Sequence, residues 1–137
     1  MAKVELFDRN MQLLQKVLSL RQQNQQIISS NIANAETSGY RPARLEFTQE
    51  LDRAMKTPEL EQRPTRDKHI PINSANIEEV DGKVRVLRTP GLANGKSGVN
   101  VDQEMIGLSE NQIVYEATVQ MINKKLAILK YVSTDGN

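Results

Sequence analysis

The chain has 137 residues, a formal net charge of +1, 38% hydrophobic and only 4% aromatic residues, and no Cys or Trp. This length fits one domain. The interspersed, nearly balanced charge argues against a nucleic acid partner, which requires a concentrated basic surface. The absence of Cys excludes disulfides, thiolate metal sites and thiol nucleophiles, and no apolar run approaches the length of about 18 residues that a membrane-spanning helix needs.

The first predicted helix covers about residues 8–35, with Asp8 as its N-cap. Apolar and asparagine side chains recur along it at spacings of three and four, which predicts a packing seam. The seam residues are Leu13, Val17, Leu20, Ile27, Asn31 and Asn34. The polar run at 21–26 has two interpretations, a solvated surface or a subunit contact made by side-chain amides, which both donate and accept hydrogen bonds.

The helix is predicted to end within the run Asn31-Ile32-Ala33-Asn34-Ala35-Glu36-Thr37-Ser38-Gly39-Tyr40. Gly39 supplies the positive φ of a helix C-cap or turn. Asn31 and Asn34 lie one turn apart, where their side chains can bond the carbonyl groups left open at a helix end.

After this turn, residues 40–47 alternate between polar and apolar side chains as an extended strand does. Thr48 is placed to begin a short helix that runs to about residue 56. The apolar face of this short helix consists of Phe47, Leu51, Ala54 and Met55.

The rest of the middle is predicted to be irregular, with one hairpin. Residues 57–76 contain three Pro and many charges, so we expect this segment to be mobile unless a neighbour orders it. In the segment 77–87, Asp81-Gly82 lies between alternating apolar residues, which predicts a β-hairpin.

The last predicted helix, residues 101–132, is N-capped by Asn100 with Gln103 in the capping-box position. Its apolar residues recur at heptad spacing over about four heptads, so it needs a helical partner. The seam residues are Met105, Leu108, Tyr115, Val119, Ile122, Leu126 and Leu129. The first helix is the obvious partner, either as a hairpin within one chain or as a bundle between chains, and the sequence leaves both open.

The predicted fold class is therefore mainly α. It is one unit of two long terminal helices with coiled-coil-like seams, joined by an irregular middle (36–100) that contains a short helix and a β-hairpin.

The run that ends the first helix resembles the Asn-Ile-Ala-Asn…Thr-Pro-Gly-Tyr signature of bacterial flagellar axial proteins, the rod, hook and hook-associated family. The matching residues are Asn31, Ile32, Ala33, Asn34, Thr37, Gly39 and Tyr40. Ser38 stands where the family usually has Pro, so the turn is less rigidly preset here. The similarity covers about residues 10–55 and 98–132 and is greatest to the family's proximal rod proteins, of which two siblings fit.

The resemblance implies a structural subunit of the flagellar basal body rod, in the periplasm, which assembles with copies of itself and with other rod proteins and is needed for motility. It also implies secretion by the flagellar type III export apparatus without a cleaved signal peptide. Phe7 and Met11 have the Phe-x-x-x-apolar form of an export gate motif. Packing at the start of a helix explains the same two residues about equally well.

No catalytic, metal or cofactor site is predicted, and no small-molecule substrate. His69 is the single His and is expected to be an exposed loop residue. Glu78, Glu79 and Asp81 could hold a divalent cation weakly, but they lack the spacing of a calcium loop and are better explained as a solvated hairpin. The alternative from another class of protein is a soluble coiled-coil adaptor that binds one partner helix.

Overall fold

The computed structural model describes residues 2–55, 77, 80–88 and 96–134, with side chains from residue 9 onward. Its elements, in chain order, are α1 (Ala2–Ala33), β1 (Ala43–Glu46), α2 (Thr48–Met55), β2 (Lys83–Val86) and α3 (Val101–Thr134). The predicted fold class is confirmed, because two long terminal helices flank a middle with one short helix and a small sheet. The segment 57–76, predicted to be mobile, lies outside the described residues. Ile77, which follows it, is described and is buried.

The two long helices pack against each other, antiparallel, within one chain. The contacts between α1 and α3 are the most extensive between any two elements of the described structure. Side chains on α1 at 24 and 31 bond side chains on α3 at 111 and 104, respectively, so the chain directions oppose. Of the two arrangements that the sequence left open, the structure adopts the intramolecular hairpin.

The predicted start of α1 is wrong, whereas that of α3 is confirmed. Asp8 lies inside α1 instead of capping it, because Ala2, Lys3 and Leu6 are good helix formers and nothing before Asp8 stops the helix. At α3, the Gln103 N–H donates to Asn100 Oδ1 over 3.3 Å, which is N-cap geometry.

The turn after α1 is built largely as predicted. Gly39 has φ of 74°, the left-handed conformation that a Cβ disfavours. Asn34 Nδ2 donates to the Ser30 carbonyl over 2.8 Å, so Asn34 does bond an open helix-end carbonyl. Asn31 does not, because its side chain points away from the helix end toward β1 and α3.

The predicted hairpin at 77–87 is wrong in its pairing, although its second strand exists. β2 pairs antiparallel with β1, with Leu45 opposite Val84 and Glu46 opposite Lys83. Asp81 and Gly82 lead into β2 and do not form the tight turn of a hairpin. The pairing is nonlocal because β1 offers a free edge whose partly buried Leu45 is already fixed against the core.

A small apolar core lies beside α1, where α2 and the segment before β2 meet it. The buried residues are Leu20, Phe47, Leu51, Ala54, Ile77 and Val80, with Leu13, Val17 and Leu45 packed around them. Three of the four residues predicted for the α2 face are therefore buried, whereas Met55 is 55% exposed. The core sits on one side of α1 and leaves α3 to cover another part of its surface.

Candidate assembly interface

A buried polar cluster is centred on Asn31, which is fully buried between α1, β1 and α3. Asn31 Nδ2 donates to Glu104 Oε2 over 3.1 Å and to the Ala43 carbonyl over 2.8 Å. Asn31 Oδ1 accepts from the Ala43 N–H and from the Tyr40 hydroxyl. Glu104, itself buried, also forms an ion pair with Arg44 over 2.7 Å. The cluster joins the end of α1, the strand β1 and the start of α3.

A second polar contact lies two turns further along the helix pair. Asn24 Nδ2 donates to Asn111 Oδ1 over 3.1 Å, and Asn111 Nδ2 donates to the Arg21 carbonyl over 2.8 Å. Asn24 and Asn31 are seven residues apart on α1, as Glu104 and Asn111 are on α3. We call these four residues, Asn24, Asn31, Glu104 and Asn111, the polar ladder.

The side of α3 that packs on α1 differs from the seam that the sequence predicts. Its fully buried side chains are polar, Glu104, Asn111 and Thr118, each seven residues from the next. Thr118 Oγ1 bonds the Val114 carbonyl of its own helix, so it too is satisfied.

The seven residues of the predicted α3 seam differ in how far they are buried. Leu108, Tyr115, Val119 and Ile122 are half-buried, whereas Met105, Leu126 and Leu129 are exposed. Apolar periodicity does not include polar positions, and on α3 polar residues occupy the centre of the buried face. The exact sevenfold spacing of Glu104, Asn111 and Thr118 is the signal that would have located it.

A second apolar surface runs along α3 and was not predicted. Ile106, Ile113, Met121 and Ile128 recur at about two-turn spacing and are 60%, 68%, 55% and 59% exposed. We call these four residues the outer row. They lie on a different side of α3 from Glu104 and Asn111. With apolar residues on more than one side, α3 has the composition of a helix that becomes buried in an assembly.

The predicted α1 seam is placed partly against the chain's own core. Leu20 is buried there with Leu13 and Val17 beside it, and Ile27 is half-buried. Within the signature run, Ile32, Asn34 and Tyr40 are half-buried, and Ala33, Thr37 and Gly39 are exposed. The exposed members form the surface of the turn after α1, and the seam's role between subunits stays a prediction.

The glutamine-rich run of α1 borders an open groove of about 810 Å³ between α1 and α3. Uncharged polar or small side chains dominate its lining, which consists of Gln22, Gln25, Gln26, Ser29, Ser30, Ala33, Gln112 and Tyr115. Within the run at 21–26, Asn24 instead bonds Asn111 of the same chain. Both interpretations remain for the glutamines, since a groove lined by amides suits either water or a polar segment of a neighbour.

A surface ion pair fixes α2 to β2. Lys83 Nζ lies 2.8 Å from Glu50 Oε1. The hydrogen bond from Lys83 lowers the pKa of the Glu50 carboxyl from its ordinary value, and the same bond raises the pKa of Lys83. Nearby, the Arg21 guanidinium lies 5.1 Å from the centre of the Phe47 ring, and burial lowers the pKa of Arg21.

The remaining predicted residues are placed as follows. Phe7 and Met11 both lie within α1, and Met11 is half-buried. Among the described residues no acidic or histidine cluster has the geometry of a metal site, and neither long helix has an apolar stretch sufficient to cross a bilayer. His69, Glu78 and Glu79 lie outside the described residues.

Comparison with known proteins agrees with this architecture. Residues 11–41, which span most of α1 and the turn, match the family described as "Flagella basal body rod protein". The flagellar basal body rod protein FlgB of Bacillus subtilis is 31% identical over 97% of this chain and 99% of its own length. FlgB of Proteus mirabilis is 32% identical over 89% and 91%, and FlgB of Salmonella typhimurium is 30% identical over 98% and 99%.

These matches extend over nearly the whole length of this chain and of the relatives, so they include the signature run, the middle and both terminal helices. This chain belongs to the FlgB family of flagellar basal body rod proteins.

Proposed function

We propose that this chain is a structural subunit of the proximal part of the flagellar rod, where it assembles with copies of itself and with other rod proteins and supports motility. The single observation that carries the proposal is the outer row of α3, which leaves four large apolar side chains uncovered in the isolated subunit. Burying one such side chain is worth about 1.5–3 kcal/mol. Neighbouring subunits that cover the outer row therefore supply the association energy of the rod.

Three predicted seam residues of α3 are also exposed and add apolar surface outside the outer row. Met105, Leu126 and Leu129 lie outside the outer row and are exposed as well. A subunit in a helical tube meets neighbours on several sides, so apolar side chains on several sides of α3 suit that arrangement better than a single coiled-coil partner does. This favours a rod subunit over a soluble coiled-coil adaptor.

Of the two proximal rod siblings, the sequence resembles FlgB most and FlgC second, and overall similarity supports the same order. The relatives described above are FlgB proteins and match along nearly their whole length. FlgB is therefore favoured over FlgC.

The proposal includes no catalytic role. The buried polar side chains of the polar ladder satisfy one another and backbone groups, as structural polar groups do. Activity dependent on His69 would contradict this part of the proposal.

The rod function is tested in the host bacterium by deleting the coding sequence and supplying the full chain from a plasmid. Cells without the chain should not swim and should lack rods in purified basal bodies, and the plasmid should restore both. A tagged chain should be recovered in the basal bodies. Rods and swimming in the deletion strain would contradict the proposal.

Export is the second part of the proposal, and it places the chain in the periplasmic rod after passage through the flagellar type III apparatus without signal cleavage. Phe7 and Met11 lie four residues apart in the sequence of α1, which is the Phe-x-x-x-apolar spacing of the motif. Either an extended or a helical segment presents them together to a shallow apolar pocket.

The export test replaces Phe7→Ala with Met11→Ala and measures secreted against cytoplasmic protein. The double variant should accumulate in the cytoplasm and be secreted less. The matched control is Gln12→Ala with Gln15→Ala, two exposed positions of the same segment, which should be secreted normally. Normal secretion of the Phe7 and Met11 variant would leave these residues with a packing role alone.

A further inference from the structure

The helix α3 buries a polar row at the centre of its α1-facing side and leaves the apolar outer row exposed, although apolar side chains are the ones whose burial is favourable. Glu104 and Asn111 are each 1% exposed, against 68% for Ile113 of the outer row. Half-buried apolar residues, Leu108, Tyr115, Val119 and Ile122, flank the polar row, so both sides of α3 offer apolar area and its burial alone does not choose between them. Some other interaction must set the orientation of α3 about its own axis.

The partner side chains on α1 supply that interaction. Asn24 and Asn31 project from α1 toward α3, and each donates its amide to a side-chain oxygen there over 3.1 Å. A buried amide loses its hydrogen bonds to water and must replace them within the protein. Turning the outer row inward would place these two amides against Ile and Met side chains, which offer no acceptor.

The sevenfold spacing of the ladder residues also fixes the register of α3 along α1, in addition to its orientation. Both helices carry the paired positions seven residues apart, so both contacts form in one antiparallel alignment. A shift of α3 by one turn breaks both contacts together. Buried asparagines fix register and partner choice in coiled coils for this physical reason.

We propose that the polar ladder selects which side of α3 packs on α1 and thereby keeps the outer row free for neighbouring subunits. The first part concerns the isolated chain, and the second part rests on the proposed function. In this arrangement the ladder residues are positioning residues for assembly, since they contact one another and no neighbouring subunit need touch them.

The chain has no Cys, so a single introduced thiol reports the orientation of α3 directly. Thr118→Cys places the thiol on the α1-facing side, where residue 118 is 5% exposed, and Ile113→Cys places it on the outer row. With the ladder intact, a maleimide should label the thiol at 118 at least tenfold more slowly than the thiol at 113.

The test removes the ladder by combining Asn24→Ala, Asn31→Ala, Glu104→Ala and Asn111→Ala with each reporter in turn, because alanine removes the polar contacts without adding a large apolar side chain to that side of α3. The proposal predicts that the tenfold difference between the two labelling rates is lost, while far-UV circular dichroism keeps its helical signal. Labelling is done at a concentration where sedimentation shows a monomer, so that contact between copies does not protect the thiol.

The matched control places four alanines at exposed polar positions of the same helices. They are Gln12→Ala, Gln23→Ala, Gln120→Ala and Asn123→Ala. This control adds the same side chains without touching the ladder, and it should keep the original tenfold difference.

Two results would overturn the proposal. One is continued protection of the thiol at 118 in the ladder variant, since α3 would then keep its orientation without the ladder. The other is loss of the helical signal, because the ladder would then hold the helices together and not choose between their sides. Both are measured on purified chain, so neither bears on the rod function, which the deletion strain tests separately.

Discussion

Asn31 uses its whole side-chain hydrogen-bonding capacity. Its amide nitrogen donates twice, to Ala43 and Glu104, and its oxygen accepts twice, from Ala43 and Tyr40. An amide has two donors and two acceptor positions, so none is left unsatisfied. This explains the demand for Asn at this position of the signature run, because neither Asp nor a hydroxyl side chain offers two donors beside two acceptor positions.

Replacing Asn31→Ala should lower the free energy of unfolding by about 3 kcal/mol, because buried polar groups on Ala43 and Glu104 lose their partner. Asn34→Ala, in the same run, removes two exposed hydrogen bonds, one donated to the Ser30 carbonyl and one accepted from the Thr37 hydroxyl, and should cost about 1 kcal/mol or less. Urea unfolding of both variants provides the comparison. Equal losses would mean that the buried cluster contributes no more than a helix cap.

The Glu50–Lys83 pair gives stability a defined pH dependence. The pKa of Glu50 is lowered in the folded chain, so its contribution is present above the ordinary glutamate pKa and is lost as pH falls through the folded value. The pKa of Lys83 is raised, so its contribution is present below the ordinary lysine pKa and is lost as pH rises through the folded value. The window of full contribution lies between the two ordinary values.

Glu50→Gln should therefore lower the thermal unfolding midpoint slightly at about pH 7 and by a smaller amount at about pH 3, below the ordinary glutamate pKa, because the unfolded chain then takes up a proton that the folded ion pair resists. Glu116→Gln is a control, because Glu116 is exposed and lies on α3 away from Lys83. A difference from the wild type that is the same at both pH values would contradict the role assigned to the ion pair.

At the scale of elements, the sequence predicts what depends on local periodicity and misses what depends on distant contacts. Both terminal helices, β1 and α2 follow from spacing and capping residues near each element. The strand partner of β2 does not, because Leu45 and Val84 meet only after α1 and α2 have placed β1 against the core. The Asp81-Gly82 signal predicts a local turn that this nonlocal pairing overrides.

The polar ladder was missed for a related reason. Apolar periodicity locates faces that lose water, and Glu104 and Asn111 are ordinarily assigned to a solvated face. Only the matching sevenfold spacing on the two helices indicates that they pair. The N-terminal extension of α1 beyond Asp8 was missed because a good N-cap residue does not end a helix when helix formers precede it.

We expect alanine substitution to have opposite effects on stability at Gly82 and at Gly107. At Gly82 a Cβ would lie 2.7 Å from Leu45 Cδ1 and 2.9 Å from Leu45 Cγ. Gly82→Ala must displace Leu45 from its place beside the core and should cost about 1–3 kcal/mol of unfolding free energy. At Gly107 a Cβ would meet Ile28 Cδ1 at 3.8 Å and an Arg44 guanidinium nitrogen at 4.0 Å, both ordinary contact distances.

Gly107→Ala should accordingly stabilise the chain by up to about 1 kcal/mol, since alanine favours the interior of a helix. Chemical denaturation of the two alanine variants and the wild type should rank Gly107→Ala above the wild type and Gly82→Ala below it. A loss of stability in Gly107→Ala would show that α3 passes closer to Ile28 than the structure places it.

At the scale of the whole molecule, the residues that stabilise the folded subunit differ from those that we propose to contact its neighbours. The core beside α1 and the polar ladder lie inside the folded chain, whereas the outer row of α3 is mostly exposed. Ile122, on the half-buried side, serves the fold, so Ile122→Asp weakens the chain itself and cannot isolate an assembly defect. Ile113 is 68% exposed and can.

The most direct test of the account is therefore Ile113→Asp, with Asn123→Asp as the exposed control that adds the same charge to α3. We predict that the purified Ile113→Asp chain unfolds at nearly the wild-type thermal midpoint, because residue 113 is exposed. We also predict that cells still make and export this chain. In the rod, each copy buries an unpaired carboxylate, so electron microscopy of basal bodies should show no rods and the cells should not swim. Asn123→Asp cells should build rods and swim. Normal rods in Ile113→Asp cells would contradict the claim that the outer row of α3 joins the subunits.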